Sequence, residues 1–357
     1  SGTTNALVEI GLDIQAKNPN KAIDAINNLH ETYFKTIDEL LTDAKLNKET
    51  KAYVTFIFDF LVECTYKESS QALDNSIVAQ GELLSSYMFN AYLNQEGFNA
   101  TLLPAFDFLR INGVKEPDYF YIKQRLKNVI ESAPESDIYI TQGFICLDEK
   151  GEISNLQRGG SDYTATIVGA ALRAEEVQIW TDIDGMHNND PRYVENTNPI
   201  SNLSFDEAAE LAYFGAKILH PQTVLPVRED GIPVRLKNTM VSEADGTLIS
   251  SETSENGIKA IAAKDNITAI KIKSGRMLQA HGFLKKVFEV FEVYETSIDM
   301  ITTSEVAVSL TIDDDRNLEK IITELEEFAT IEVDKGQTIV CLVGHSIAVS
   351  YTHLRAH

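Results

Sequence analysis

Apolar residues recur at helical spacing through the first third of the chain: Ile23, Ala25, Ile26 and Leu29, then Phe34, Ile37, Leu40 and Leu41. The pattern predicts a mostly helical stretch from residue 6 to about 133, with one strong helix over residues 77–93. Gly81 and Glu82 sit inside that helix, an odd pair for a plain packing face. The rhythm then changes. Residues 137–146 are β-branched and aromatic and predict a strand, and residues 151–156 suggest a hairpin. A helix follows up to Arg173, then a short apolar strand over residues 177–181 that ends in an Asp-Ile-Asp-Gly loop. Ser204-Phe205-Asp206-Glu207 is a capping box for a helix running to about His220, where Pro221 interrupts. Residues 231–236 make another strand. Strands alternating with helices predict an α/β fold, a mainly parallel sheet sandwiched by helices.

Residues 250–257 are polar and read as a linker. Beyond them the order is βαββαβ: a strand over 267–272, a helix with Leu284, Val287, Phe288 and Phe291 on one face, strands over 297–301 and 306–312, an amphipathic helix over 318–328 and a strand over 330–333. This predicts a small α+β module of the split-βαβ kind. Residues 338–343 read as one more strand, the start of a second such module.

At 357 residues the chain is too long for one core, so two domains are expected. No apolar run is long enough to cross a bilayer and no basic-then-apolar segment opens the chain, which makes the cytoplasm the default compartment. Cys64, Cys146 and Cys341 are far apart, without a CxxC pair, which argues against a disulfide framework or zinc site and for buried small hydrophobes. The net charge of −23 repels nucleic acid and anionic lipid. It also repels anionic substrates unless cations reverse the field inside a cleft, for which Arg158, Arg192 and Lys217 are the candidates. Ser1 is no start methionine, and its segment reads as a mid-domain loop entering a helix. Residues 349–357 fit neither neighbouring pattern and read as a non-native, adapter-derived tail that is no part of the fold.

The chemistry concentrates in Arg158-Gly159-Gly160-Ser161-Asp162-Tyr163-Thr164-Ala165. Glycines let backbone N–H groups approach a ligand, a helix start adds a positive dipole end, and an arginine grips an anion at two points. No GxGxxG follows a strand and there is no GxxxxGK[ST], so Rossmann and P-loop readings lack support. In order along the chain stand Ser1-Gly2-Thr3-Thr4-Asn5, Gln80-Gly81-Glu82, Ile140-Thr141-Gln142-Gly143-Phe144, the Arg158 loop, Trp180-Thr181-Asp182, Asp190-Pro191-Arg192 and Phe214-Gly215-Ala216-Lys217-Ile218-Leu219-His220-Pro221. Each is weak alone; the ordered set, over residues 1–249, resembles the aspartokinase branch of the amino-acid kinase family.

The resemblance implies the amino-acid kinase fold and transfer of the ATP γ-phosphoryl group to the β-carboxylate of L-aspartate, giving 4-phospho-L-aspartate, the first step toward lysine, threonine and methionine. It implies that Thr4, Glu82, Phe144, Arg158, Gly159, Ser161 and Asp162 contact aspartate, with Arg158, Asp162 and Lys217 as the catalytic set. Thr181, Asp182, His187, Arg192, Lys217 and Ile218 would hold ATP, and Mg2+ would be held mainly through the ATP phosphates, with no protein metal site. His187 stands where many relatives have a phenol. Taken alone, Arg158 reads as a surface ion pair, Lys217 as a helix-end lysine and Trp180 as core. The family's opening Lys-Phe-Gly-Gly-Thr-Ser strand would precede Ser1, so the chain as given is expected to be inactive or severely impaired.

The C-terminal module resembles an ACT domain of the lysine-sensitive, monofunctional type, on Met277-Leu278, Gly282-Phe283-Leu284 and the run from Ser297 to Val306. The resemblance implies an L-lysine site with Asp299 and Glu305 on its cationic groups, Ser297, Ile298 and Ser304 nearby, and Met277, Phe283 and Leu284 along its stem. Taken alone, Met277 and Phe283 read as core and the acids as solvated. A pairing of ACT modules implies a homodimer. The implied domains are a kinase domain over residues 1–249, the linker, an ACT domain over 258–335 and a second ACT beginning at 336–348. The alternatives are the kinase part of a bifunctional aspartokinase–homoserine dehydrogenase, a kinase acting on another carboxylate such as glutamate, and a non-catalytic amino-acid-binding subunit.

Overall fold

The computed structural model describes residues 2–156, 160–214, 219–252, 257–274, 281–304 and 306–345. Four helices come first: α1 (Thr3–Gln15), α2 (Pro19–Leu40), α3 (Ala44–Cys64) and α4 (Gln71–Gln95). Their starts follow from local chemistry. Pro19 occupies the first turn of α2, where its missing N–H costs nothing. The Asp43 carboxylate accepts the N–H groups of Lys45 and Leu46 at the head of α3, and Ser70 Oγ accepts that of Leu73 at the head of α4. Leu7, Ile26, Ile37, Phe58, Leu61 and Ile77 are buried together between these helices.

A second core forms next to the first around Phe108, Leu109, Ile122, Ile145, Tyr163 and Ile167. It is enclosed by β1 (Ala100–Leu102), α5 (Tyr119–Ser132), β2 (Ile138–Ile140), β3 (Ile145–Leu147), β4 (Ile153–Asn155) and α6 (Gly160–Leu172). Helix α4 serves both: Ile77 and Leu84 face the first core and Ala79 the second. That is why its apolar residues spread around the helix instead of forming one stripe.

The predicted hairpin at 151–156 is β3 against β4. The strand predicted over 137–146 is not continuous; it breaks between Ile140 and Ile145. After α6 come β5 (Val177–Thr181), β6 (Asn202–Ser204), α7 (Phe205–Tyr213), α8 (Leu225–Arg228), β7 (Val234–Asn238) and β8 (Thr247–Ser250). The sheet order is β5-β7-β8-β6, with β5 parallel to β7, β6 parallel to β8 and only β7 and β8 antiparallel; β1 and β2 are also parallel. The helix expected to reach His220 ends at Tyr213; residues 215–218 lie outside the described residues, and Pro221 instead opens a short 3-10 turn.

The last module runs β9 (Gly257–Lys273), α9 (Phe283–Val293), β10 (Met300–Thr303), β11 (Ala307–Ile312), α10 (Leu318–Glu326) and β12 (Thr330–His345), the predicted βαββαβ order. Its sheet is antiparallel in the order β10-β11-β9-β12, and Val287, Phe291, Val308, Leu310 and Ile321 fill its core. The strands read separately at 330–333 and 338–343 are one strand, β12, paired along most of β9 with register shifts between Asp334 and Ile339. Gly336, at φ +67°, supplies the backbone bend that keeps the strand in the sheet.

By contacts the chain divides into two compact units that interleave in sequence. One holds Ser1–Gly185, Ser201–Phe205 and Ile218–Glu252; the other holds Met186–Ile200, Asp206–Lys217 and Thr253–His357. Cys64 and Cys146 are buried as expected, whereas Cys341, on β12, is only half-buried. Burial pushes the Cys146 thiol up to about 12. No helix is long and apolar enough to cross a membrane among the described residues.

Candidate active site

Helix α4 delivers the first acid. A Cβ on Gly81 would stand 3.2 Å from Leu7 Cδ1 and 3.5 Å from Thr3 Cγ2, so the glycine lets the start of α1 lie directly on α4. This brings the first turn of α1, with Thr3 and the exposed Thr4, against the α4 turn that carries Glu82. Thr3 Oγ1 lies 3.0 Å from Tyr33 Oη. Glu82 is half-buried, and burial pushes its carboxyl above the ordinary value of 4.5.

The break in the predicted strand is the second component. Gln142 is buried and bonded at both ends: its Oε1 accepts the Ala105 N–H at 2.8 Å and its Nε2 donates to Ser86 Oγ at 2.7 Å. Ser86 Oγ in turn donates to the Glu82 carbonyl at 2.8 Å. Two residues on, Phe144 takes φ +69°, and the Ile145 N–H closes onto the Gly143 carbonyl at 2.7 Å. A bulky residue at the centre of such a three-residue turn is strained and persists only where its surroundings hold it. Here the Phe144 N–H donates to Thr164 Oγ1 at 3.0 Å and its carbonyl accepts the Leu156 N–H at 2.8 Å.

Helix α6 is the third component. Gly160 opens it at φ +46°. A Cβ on Gly143 would sit 2.7 Å from Ser161 Cβ and 2.8 Å from Ser161 Cα, so turn and helix touch at backbone distance. Ser161 is exposed, and Asp162 is half-buried with its carboxyl pushed above the ordinary 3.8 by burial. Thus Glu82, Phe144 and Asp162, predicted together, come from α4, the turn and α6, and both helices are bonded or packed to the turn at 141–144. Arg158 and Gly159 lie outside the described residues. A half-buried carboxylate that pairs with no cation among the described residues favours an approaching ammonium group, which restores the charge balance that burial removed.

Of the predicted nucleotide residues, Thr181 ends β5, its Oγ1 accepts the Ile183 N–H at 3.1 Å, and its carbonyl takes the Thr239 N–H at 2.7 Å. Asp182 is exposed just beyond. Trp180 is not core: it is 44% exposed on the outer face of the edge strand β5, with Lys237 Nζ 4.9 Å from its ring centroid. Val177 and Ile179 point inward, and strand alternation sends Trp180 out. In the second unit, His187 Nδ1 lies 2.8 Å from Thr197 Oγ1, and the exposed Arg192 holds the Asp190 carboxylate through Nε at 3.0 Å to both oxygens. Lys217 and Ile218 lie outside the described residues. Among the described residues no three His, Cys, Asp or Glu side chains group to hold a metal ion.

The predicted effector residues divide similarly. Phe283 is buried in the module core, edge-on to Phe328 at 5.8 Å, and Ile298 packs on the same core. Leu284 and Ser297 are exposed, and Ser304 Oγ closes the β10–β11 turn through the Ala307 N–H at 3.2 Å. The Asp299 side chain is 2% exposed. It already accepts the Tyr213 hydroxyl and lies 3.2 Å from Lys264 Nζ, which also pairs with Asp313 at 2.8 Å. Met277 and Glu305 lie outside the described residues. Gln142 and Thr164 stand in motifs quoted from the sequence but were given no role there, and Tyr213 and Lys264 were not singled out; the roles of all four come from contacts far apart in sequence.

The model of the family described as "Amino acid kinase family" matches residues 1–238. The chain belongs to the amino acid kinase family. It is 36% identical over 343 residues to aspartokinase 1, chloroplastic, of Arabidopsis thaliana, covering 90% of this chain and 59% of that protein. It is 33% identical over 360 residues to lysine-sensitive aspartokinase 3 of Escherichia coli (strain K12), covering 98% of this chain and 79% of that one. The solved structure of E. coli aspartokinase III in complex with aspartate and ADP superposes with a TM-score of 0.80 at 33% identity, covering 98% of this chain and 80% of that chain. Within the family its place is among the aspartokinases. The chain spans a little under three fifths of the plant relative and about four fifths of the bacterial one.

Proposed function

We propose that the protein of which this chain is a part is an aspartate kinase, moving the γ-phosphoryl group of ATP to the β-carboxylate of L-aspartate. The observation that carries the reading is the assembly of Glu82, Phe144 and Asp162 around one strained turn at the head of α6. The two raised carboxyls suit the substrate ammonium. Arg158, two residues before α6 in the sequence, suits a substrate carboxylate. The nucleophile needs no general base, because a free aspartate side chain, with a pKa of about 3.9, is ionised at neutral pH. The work left to the protein is to bring two anions together and to meet charge on the transferring group. On a chain of net charge −23 this falls to local cations, Arg158 and Lys217. Thr181, Asp182, His187, Arg192 and Ile218 complete the proposed nucleotide set, and Mg2+, held mainly through the ATP phosphates, would supply charge neutralisation there.

In this reading residues 1–249 carry catalysis and residues 258–335 sense L-lysine, the effector named for the E. coli relative. A homodimer paired through the C-terminal modules and a cytoplasmic setting belong to the same proposal. The test is to incubate the protein with MgATP, L-aspartate and hydroxylamine. Aspartyl hydroxamate forming in step with ADP, and neither without aspartate, supports the reading. ADP release that ignores aspartate, or hydroxamate formed equally from glutamate, contradicts it.

A further inference from the structure

The bonds around the turn assign a role to two residues outside the proposed contact set. We propose that Gln142 and Thr164 are positioning residues for the amino-acid substrate, acting as clamps on either side of the turn at 141–144. The inference rests on the aspartate-site reading above.

Three observations carry it. Phe144 occupies a backbone conformation that an aromatic residue adopts only when held. The holding groups are identifiable. Thr164 Oγ1, buried in α6, takes the Phe144 N–H at 3.0 Å and lies 3.4 Å from the Gly160 carbonyl, so one hydroxyl ties the turn to the helix start. On the other side the buried Gln142 amide links the same turn to Ala105 and, through Ser86 Oγ, to the Glu82 carbonyl. Both clamps act on backbone or on other clamps, which leaves the Glu82 and Asp162 carboxylates open to a ligand. Between them lies Gly143, seated on Ser161. The clamps therefore set where the acids of α4 and α6 hold the substrate ammonium, and so how far the side-chain carboxylate reaches from that anchor, which is the dimension that distinguishes one amino acid from its homologue one methylene longer.

The test is titration of L-aspartate and of L-glutamate into the wild-type chain and into Thr164→Val, Thr164→Ser and Gln142→Met, with melting temperatures measured alongside. Thr164→Val keeps shape and removes the acceptor. Aspartate affinity is expected to fall about tenfold or more, because small misplacements of a positioned group are costly. The preference for aspartate over glutamate should narrow, and Thr164→Ser should restore both. Gln142→Met should produce the same two effects from the other side, which keeps the test alive if Thr164→Val does not fold. A purely structural role would lower the melting temperature and leave the preference between the two amino acids unchanged. That result in both variants overturns the proposal, as does serine failing to restore what valine loses. A wild-type chain with no affinity for aspartate overturns the aspartate-site reading itself and the clamp assignment with it; wild-type binding that the variants leave untouched overturns only the clamps.

Discussion

Glu82 and Asp162 are half-buried carboxyls whose pKa values burial raises above 4.5 and 3.8. The sign of the resulting pH dependence is fixed. The folded state holds these protons more tightly than the unfolded chain, so their favourable contribution is complete below the ordinary values and is lost as pH rises through the folded ones. Ionising either carboxyl therefore costs more in the folded state than in the unfolded chain. Glu82→Gln and Asp162→Asn should therefore raise the melting temperature of the ligand-free protein at pH 7, with the gain shrinking as the pH falls through the raised folded-state values and gone below about 4. Both should abolish aspartate binding. Lower stability at pH 7 would mean that the acids support the fold and are not reserved for a ligand. The same trade of stability for function is common where binding needs an uncompensated charge. Glu82 was visible in the sequence as an acid misplaced in an apolar helix, and Asp162 as part of a glycine-led helix start. Gln142 and Thr164 stood inside quoted motifs, but their roles were not legible, because hydrogen bonds across 56 and 20 residues leave no periodic trace.

Among elements, those with a strong period were legible and those made by long-range contacts were not. Strand β5 falls on the predicted residues because Val177 and Ile179 alternate with polar or outward positions. The split-βαβ order of the last module was likewise plain in its two amphipathic helices. The turn inside residues 137–146 was hidden, since a β-branched and aromatic run carries no sign that Phe144 departs from strand geometry. Strand β12 was read as two because Gly336 punctuates it, yet the partner strand β9 extends alongside both halves. At this scale the exacting contact is turn against helix. In Gly143→Ala the new methyl meets Ser161 Cβ and Cα, which are fixed by the helix backbone. The turn must shift, at a cost of about 1–3 kcal/mol in denaturant unfolding. Aspartate affinity should fall by at least about tenfold. An alanine variant that binds aspartate like the wild type would show that the close approach does not shape the site.

For the whole molecule, charge and edges decide the outcome. A net charge of −23 opposes association, so any homodimer must rest on local apolar surface. In the C-terminal module β10 is an edge strand with all four residues exposed, among them Met300 and Ile301, and Val306 is exposed beside it. An uncovered apolar edge of this kind invites strand pairing with a second copy. Ile301→Lys should convert a sedimenting dimer to monomer while leaving the circular dichroism spectrum unchanged; a dimer that survives it would move the interface away from this edge. The Tyr213–Asp299–Lys264 cluster ties α7 to the same module and includes Asp299 of the proposed effector site. Lys264→Met leaves a buried carboxylate without its cation and should cost about 1–3 kcal/mol in unfolding experiments. Both contacts fall on Asp299 Oδ1, while its buried Oδ2 has no hydrogen-bond partner among the described residues; an ammonium group reaching Asp299 would share its charge with Lys264, so this variant should also change the lysine concentration at which the full enzyme responds. An unchanged response would separate Asp299 from the sensor.

The account turns on where the amino acid binds. A crystal structure of the protein grown with L-aspartate measures this directly: the ligand should lie between the first turn of α6 and the α4 turn bearing Glu82, its ammonium within hydrogen-bond distance of Glu82 or Asp162 and its body against the Phe144 ring. Aspartate bound elsewhere, with this space filled only by water, would contradict it.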